Sequence, residues 1–433
     1  MIRRPPRSTL SSSSAASDVY KRQPMIAPDG VIYIEQAKAI FYGQWEEIAT
    51  CSGLDLLSVY PFLIAVFYNI FSDWIIAGKA INFIFGVATI IPLYFLLRQF
   101  FDYKISALTS LIIAVNPFFV STSVEILRGP IYWFFSVLGL YFFTVCIKKE
   151  DQLFLLLSSI SFLLAAWTRI EGILFFAVSF LYLLFKNRNI RSALIFISPA
   201  IIVFAITFFI ASFKDISIHD LHRGDDILKR IAGIFSGYLK ISGEIKELSG
   251  GIDGSINGTL KHFLVEARMN IWIIALGTLI NRILETFFYP LFVPVLIGFG
   301  KLRKIKEDHR IFYFTLLVIS SLLVLYFSIF YIWALEPRYI ALFILPSMIF
   351  AGFGLELIIK WSIRIFRVNK LLVIITLACL MVLATFPKNS KYRHFDKIVY
   401  KEISEFIIGQ EGESQEPINV SASIGTQGWI SFY

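Results

Sequence analysis

Charge is scarce in this sequence. Asp, Glu, Lys and Arg make up 16% of its 433 residues, against 57% hydrophobic residues, whereas soluble domains carry about 25% charged residues. With a mean hydropathy of +0.71, too little polar surface remains to face water, which excludes an ordinary soluble domain. Cysteine is scarcer still. Cys51, Cys146 and Cys379 are the only three, with no CxxC and no Cys/His spacing, so neither a disulfide framework nor a zinc site is supported. No phosphate-loop signature occurs either: GGIDGSINGT, beginning at Gly250, has no following GKS or GKT and reads as a turn cluster. The net charge of +9 invites a nucleic-acid reading. That reading fails because the basic residues sit in short loops between apolar runs, the pattern of cytoplasmic membrane loops.

What is abundant is apolar length. A membrane-spanning helix needs about 20 mostly apolar residues. Runs of that order lie at 74–97, 104–121, 130–147, 153–168, 171–185, 193–213, 283–300, 311–332, 339–359 and 371–386. Aromatics are 16% of the chain, 44 of them Phe, as suits lipid-facing helices with interfacial aromatic belts. The expected fold class is an all-α polytopic membrane bundle of about ten helices over 74–387. Residues 24–73 form a first exterior loop with amphipathic helices, and 214–282 a long exterior loop. From 388 to 433 a small exterior α/β piece begins, with a helix at His394–Ile408 and a strand at Pro417–Ala422, breaking off at Phe432–Tyr433. Within 214–282, Ile227–Leu239 and Leu260–Met269 are amphipathic enough to lie on a membrane surface. No internal repeat stands out.

The loops set the sidedness. Those at 98–104, 148–152, 186–191, 301–310 and 360–370 hold 2, 2, 3, 5 and 4 Lys plus Arg. They alternate along the chain only if 153–185 is a hairpin rather than one long helix, and by the positive-inside rule they are then cytoplasmic. The first 23 residues, MIRRPPRSTLSSSSAASDVYKRQ, have no apolar stretch of a signal peptide and read as translated sequencing-adapter DNA. Their arginines would face outward under this scheme, so a further helix upstream of Pro24 is expected in the native gene.

The exterior ends of the helices then collect a distinctive set of ionisable residues. Asp29 and Glu35 lie in the first exterior segment, Glu125 and Arg128 in the second, Arg169 and Glu171 in the third, and Glu336 and Arg338 in a later one. Any one Arg–Glu pair could merely cap a helix end, and Asp29 could merely cap the helix that follows it. Three such pairs and an acidic segment on one side instead suggest a charged exterior cavity. Arginine supplies planar donors for a phosphate, and a carboxylate supplies a base for a hydroxyl.

The order of these motifs resembles that of the GT-C superfamily of polyprenyl-phosphate-sugar glycosyltransferases, the protein O-mannosyltransferase and aminoarabinose-transferase type. The resemblance is carried by Pro28-Asp29-Gly30-Val31-Ile32-Tyr33-Ile34-Glu35-Gln36-Ala37-Lys38 followed by Gly43, by Tyr60-Pro61-Phe62-Leu63-Ile64-Ala65, and by Lys79-Ala80-Ile81-Asn82. It continues through Asn116-Pro117, Thr168-Arg169-Ile170-Glu171-Gly172 and Glu336-Pro337-Arg338-Tyr339, with Pro346 beyond. It covers nearly all of 24–433. Two departures stand out. Gly30 takes the place of a second carboxylate beside Asp29, and Gly129 stands where the second exterior loop often has an acid, for which Glu125 is the substitute.

The resemblance implies a donor sugar on undecaprenyl or dolichyl phosphate and a hydroxyl acceptor on a protein or glycolipid, at the exterior face of the cell membrane. It implies Asp29 as catalytic base, with Arg338, Arg169, Arg128 and Tyr339 as substrate-binding residues. Glu35, Glu125, Glu171, Glu336 and Lys79 would support them. No cofactor, no metal and no nucleic acid are called for, although oligosaccharyl-transferring relatives use a divalent ion. Two other classes compete: a polymerase or ligase of lipid-linked glycans, and a transporter or flippase. The transporter is disfavoured because the charges sit at helix ends and the spans are nearly free of them. Single-cysteine reporters test the sidedness: positions 189 and 305 should label from the cytoplasm and positions 252 and 395 from the opposite side. Labelling of 148 and 189 from opposite sides would dissolve the hairpin and the shared cavity with it.

Overall fold

The computed structural model describes residues 26, 28–44, 58–185, 190–213, 223–250, 258–300, 308–390 and the isolated residues 403 and 406. The adapter-like residues 1–23 and the expected α/β piece, with its helix at His394–Ile408 and its strand at Pro417–Ala422, lie outside these residues apart from 403 and 406. Among the described residues all regular structure is helical. In chain order the helices are α1 (Pro28–Phe41), α2 (Val59–Phe71), α3 (Trp74–Ala88), α4 (Ile90–Leu97), α5 (Tyr103–Val115), α6 (Pro117–Ser123), α7 (Gly129–Lys149), α8 (Gln152–Thr168) and α9 (Ile173–Phe185). They continue as α10 (Ile190–Phe213), α11 (Arg223–Gly250), α12 (Gly258–Met269), α13 (Ile271–Phe287), α14 (Tyr289–Phe299), α15 (His309–Ile332), α16 (Pro337–Phe366) and α17 (Lys370–Asn389).

Among the described residues, five helices are long and apolar enough to cross a membrane, or seven if each bent pair is one span. The expected break inside 153–185 is present as a single 3-10 turn, Ile170–Gly172, between α8 and α9. The short polar residues at the loops start the helices. Asp73, Asp102, Asp151, Asp308 and Asn369 each accept a backbone N–H from the first turn that follows, satisfying a donor that has no partner within the helix.

Three expectations need correction. The run at 104–121 is not one straight helix; α5 and α6 meet at Asn116-Pro117 with a bend of 62°, because a proline disfavours helical geometry in the residue before it. The run at 283–300 is not one span, since α13 begins at Ile271 and stops at Phe288, whose φ is 62°. Pro290 at the start of α14 and Pro294 within it each lack a backbone donor, which separates the two helices. In the segment 214–282 the two expected amphipathic stretches lie within α11 and α12, but these helices are longer than expected and α13 already begins at Ile271, with α12 and α13 bent by 81°. The apolar residues of α11 and α12 recur at helical spacing, as amphipathic stretches do.

Helix α16 is the axis. Of its most apolar stretch, 78% is buried inside the protein, and its 30 residues extend about 45 Å at the usual helical rise. It meets α14 where backbones touch: Gly354 leaves no room for a Cβ against the Pro294 carbonyl, nor Gly298 against that of Phe350. Small residues give this close approach in membrane bundles. The outward sides of the helices stay apolar and exposed, as at Phe83, Ile91, Phe204 and Leu383, which suits hydrocarbon rather than water.

The two ends of the bundle differ. At one, Lys370 Nζ lies 2.7 Å from Asp102 Oδ2, Arg310 Nη1 donates to the Gln99 carbonyl at 2.9 Å, and the Tyr182 hydroxyl donates to the His309 carbonyl at 3.3 Å. Four of the expected basic connections therefore lie at or beside a common end. The first turns of α1 and α16, with Asp29 and Arg338, meet the loops carrying Arg128 and Arg169 at the other. Replacing Gly354 by Val should force α14 and α16 apart at a site with no space to relax. We expect a loss of roughly 1–3 kcal/mol, the usual cost of overpacking, seen as a lower melting temperature of the detergent-purified protein; an unchanged melt would contradict the close crossing.

Candidate functional site

Helix α1 brings Asp29 to the site. It packs on α2 and α3 through a small separate core of Ile26, Tyr33, Ile34, Ala37, Tyr60, Ile64, Ala77, Ile81, Ile126 and Ile131. Asp29 and Tyr33 are one turn apart and so share a face. The loop that carries Glu125 and Arg128 is pinned against this unit. Asn82 Nδ2 donates to the Leu127 carbonyl at 2.7 Å and also to that of Glu125. Ile126, 1% exposed, fits between two glycines: a Cβ on Gly30 would come within 3.1 Å of its carbonyl oxygen, and one on Gly78 within 3.1 Å of its side chain. The departure at Gly30 thus has a steric reason. A side chain there would meet Ile26 first, 2.6 Å from the Cβ position, and then press on the loop that carries Arg128.

Four segments distant in sequence converge on this end. Arg338, at the start of α16, reaches Asp29 Oδ2 with Nη1 at 2.5 Å. Its Nε edge faces Glu336. Arg169 makes a two-pronged contact to Glu171, Nε to Oε2 at 3.3 Å and Nη2 to Oε1 at 3.2 Å, and its side chain is only 8% exposed. Two tyrosine rings brace the arginines. The Arg128 guanidinium lies 5.3 Å from the centre of the Tyr33 ring. Those of Arg169 and Arg338 lie 5.3 and 5.7 Å from the centre of the Tyr339 ring. Tyr33 in turn stands edge-on to Tyr60 at 5.3 Å, and the Tyr60 hydroxyl donates to the Gly78 carbonyl.

The electrostatics agree with this geometry. The Tyr33 hydroxyl is pushed above its usual pKa, first by burial, with Arg128 opposing, Asp29 adding, and Arg169 and Arg338 opposing further. One phenol thus feels three arginines and the candidate base. Burial works against the charge of Arg169 and Arg338 repels it from nearby, but Glu171 and Tyr339 together more than offset both, and the pKa is raised. Lys79 is half-buried, under the influence of Asp73 and Glu125.

The structure therefore draws Asp29, Arg128, Arg169, Arg338 and Tyr339 together, with Glu171 and Glu336 as direct partners of two arginines. Lys79 and Glu125 lie on its flank, within electrostatic reach of one another. Glu35 stands apart: its carboxylate pairs with Lys38 at 2.8 Å on a more exposed face of α1. Tyr33, Asn82 and Gly78 were missed from the sequence. Tyr33 could have been found by its place one helical turn after Asp29. Among the described residues no group of three or more His, Cys, Asp and Glu gathers so as to hold a metal ion. With two arginine charges resting on its ring, Tyr339→Leu should cost about 1–2 kcal/mol at 0.5–1 kcal/mol per cation–ring contact. Tyr339→Phe, which keeps the ring, should melt near the wild type. Equal melting of the two variants would remove the ring from this role.

Comparison with known proteins bears on the fold. The family model for dolichyl-phosphate-mannose-protein mannosyltransferase matches residues 58–211. The fold is similar to that of the Archaeoglobus fulgidus oligosaccharyltransferase in complex with Zn and sulfate, with a TM-score of 0.57 and 15% identity over 94% of this chain and 58% of that one. The apo form of that enzyme gives 0.50 and 13% over 94% and 60%. ArnT from Cupriavidus metallidurans in the apo state gives 0.50 and 12% over 97% and 75%. At these identities the likeness is one of fold, and the chain spans less than two thirds of the oligosaccharyltransferase. No curated protein sequence matches.

Proposed function

We propose that this chain belongs to the GT-C superfamily and is a membrane glycosyltransferase, moving a sugar from a polyprenyl-phosphate donor to a hydroxyl acceptor at the exterior face of the membrane. The observation that carries the reading is the convergence of one carboxylate and three arginines around Tyr33, from four separate segments at a single end of the bundle. Arginine forks suit phosphate oxygens. An open carboxylate beside them suits an acceptor hydroxyl, and the Asp29 side chain is 39% exposed.

In this mechanism the lipid phosphate binds to Arg338, with Arg169 and Arg128 on its flanks. The acceptor oxygen attacks the anomeric carbon as its proton passes to Asp29. The bond from that carbon to the phosphate oxygen breaks with its electron pair, and configuration inverts. The arginines stabilise the charge left on the phosphate. Glu171 and Glu336 hold their arginines in place, and Tyr339 keeps two of them at a fixed separation; a reaction site needs such a supporting layer. Every step uses side chains of this chain alone, so the proposal requires no metal.

The two principal residues should fail differently in an assay of the full-length protein with labelled polyprenyl-phosphate sugars and membrane acceptors. Asp29→Asn keeps size but cannot take the proton, so turnover should fall about 10²–10⁴-fold, the usual contribution of a general base. Arg338→Ala should lose donor affinity as well as turnover, and Arg338→Lys should recover only part, because an ammonium lacks the two-pronged fork. Full activity of Asp29→Asn would reduce Asp29 to a helix-end residue, and unchanged donor affinity in Arg338→Ala would take Arg338 out of the site.

A further inference from the structure

We infer that Asp29 and the donor phosphate exchange places on Arg338, so that the base is released only once the phosphate has arrived. This rests on the glycosyl-transfer reading above and adds an order of events to it. Arg338 is already engaged on both sides: Nη1 holds Asp29 Oδ2 at 2.5 Å and the Nε edge holds Glu336. A guanidinium has five N–H donors in a fixed fork. A two-pronged contact uses neighbouring nitrogens, Nε with Nη2 or Nη1 with Nη2, and each pair includes an atom already facing a carboxylate, so a phosphate bound in that way competes with one of the two.

The structure distinguishes between them. Glu336 precedes Arg338 by two residues on the same segment, at the N-cap of α16, so it remains beside Arg338 whatever α1 does. Asp29 comes from α1, 309 residues away in sequence. It is the partner that can part from Arg338 without unravelling α16. The separation is inexpensive, because ion pairs at this degree of exposure are worth about 0.2–1 kcal/mol. It is also neutral in charge, since a sugar phosphodiester carries one negative charge, as Asp29 does. Arg338 keeps its seat through Glu336 and the Tyr339 ring at 5.7 Å. Without donor, Asp29 is tied to a cation and turned from any acceptor. With donor bound, it is released beside the anomeric carbon.

The test measures binding of farnesyl phosphate to the full chain in detergent, with farnesol as the control lacking phosphate. If Asp29 competes for Arg338, Asp29→Asn binds farnesyl phosphate about 1.4- to fivefold more tightly than wild type, the factor that 0.2–1 kcal/mol allows. Asp29→Glu, which restores a competing carboxylate, stays at the wild-type level, and farnesol binding does not change. A second measurement needs no variant: in the wild type, carbodiimide labelling of Asp29, read by peptide mass, rises when farnesyl phosphate is added. Unchanged or weaker farnesyl phosphate binding by Asp29→Asn, or labelling of Asp29 that does not rise, overturns the exchange. If that variant has also lost turnover, the glycosyl-transfer reading stands without it. Wild-type binding that ignores the phosphate altogether overturns both.

Discussion

Arginine at the edge of an apolar bundle must be answered by a partner, and this end of the molecule is organised by that requirement. Leaving a buried guanidinium alone is costly, because removing the partner of a buried pair typically loses several kcal/mol. Here Arg169 is almost wholly buried and Arg338 lies close enough to repel it. The structure responds with carboxylates drawn from neighbouring residues, Glu171 and Glu336, and with one from far away, Asp29. Tyrosine rings then share the remaining charge without adding a counter-ion. The outcome is a balanced but exchangeable set of ion pairs, open on the Asp29 side.

The same economy governs the backbone. Where a helix stops inside the bundle, its freed carbonyls need donors, since hydrocarbon offers none. The buried Asn116 fills that need twice over. Its oxygen accepts from the Phe118 amide at 2.9 Å to start α6, while its amide donates to the Thr286 and Phe287 carbonyls at 3.2 and 3.0 Å, where α13 ends. Two helix breaks are thereby joined through one side chain. Asn82 does the equivalent for the Glu125–Leu127 loop. These contacts turn irregular backbone, which is where the site's side chains arise, into fixed geometry.

Close packing sets the remaining constraint. Gly30 and Gly78 admit Ile126 between α1 and α3, and Gly298 and Gly354 let α14 lie against α16. The first contact sets the distance from Asp29 to the loop bearing Arg128. The second fixes the axis from which Arg338 projects. Neither glycine pair carries chemistry, yet both decide where the chemistry lies.

How much of this was legible beforehand follows from the range of the forces involved. Hydropathy acts over one helix length, so the apolar runs, the break between 153–168 and 171–185, and the polarity of the two ends could be read from the sequence. Helix-end charges are local too, and so Asp29, Arg128, Arg169 and Arg338 could be singled out by position alone. The sequence marked Ile227–Leu239 and Leu260–Met269 as amphipathic, but it did not reveal that α11 runs on to Gly250, that α13 begins at Ile271 or that Phe288 ends it, because low average hydropathy blurs where such helices begin and end. Nor could it pair Asp29 with Arg338 or set Glu35 aside. Those depend on which face of α1 packs against α2 and α3, a choice made by burial of Tyr33, Ile34 and Ala37 against residues hundreds of positions from Arg338. The sequence determined a membrane bundle with charged ends. Only tertiary packing decided which charges meet, because an ion pair forms between neighbours in space and carries no mark in the order of the chain.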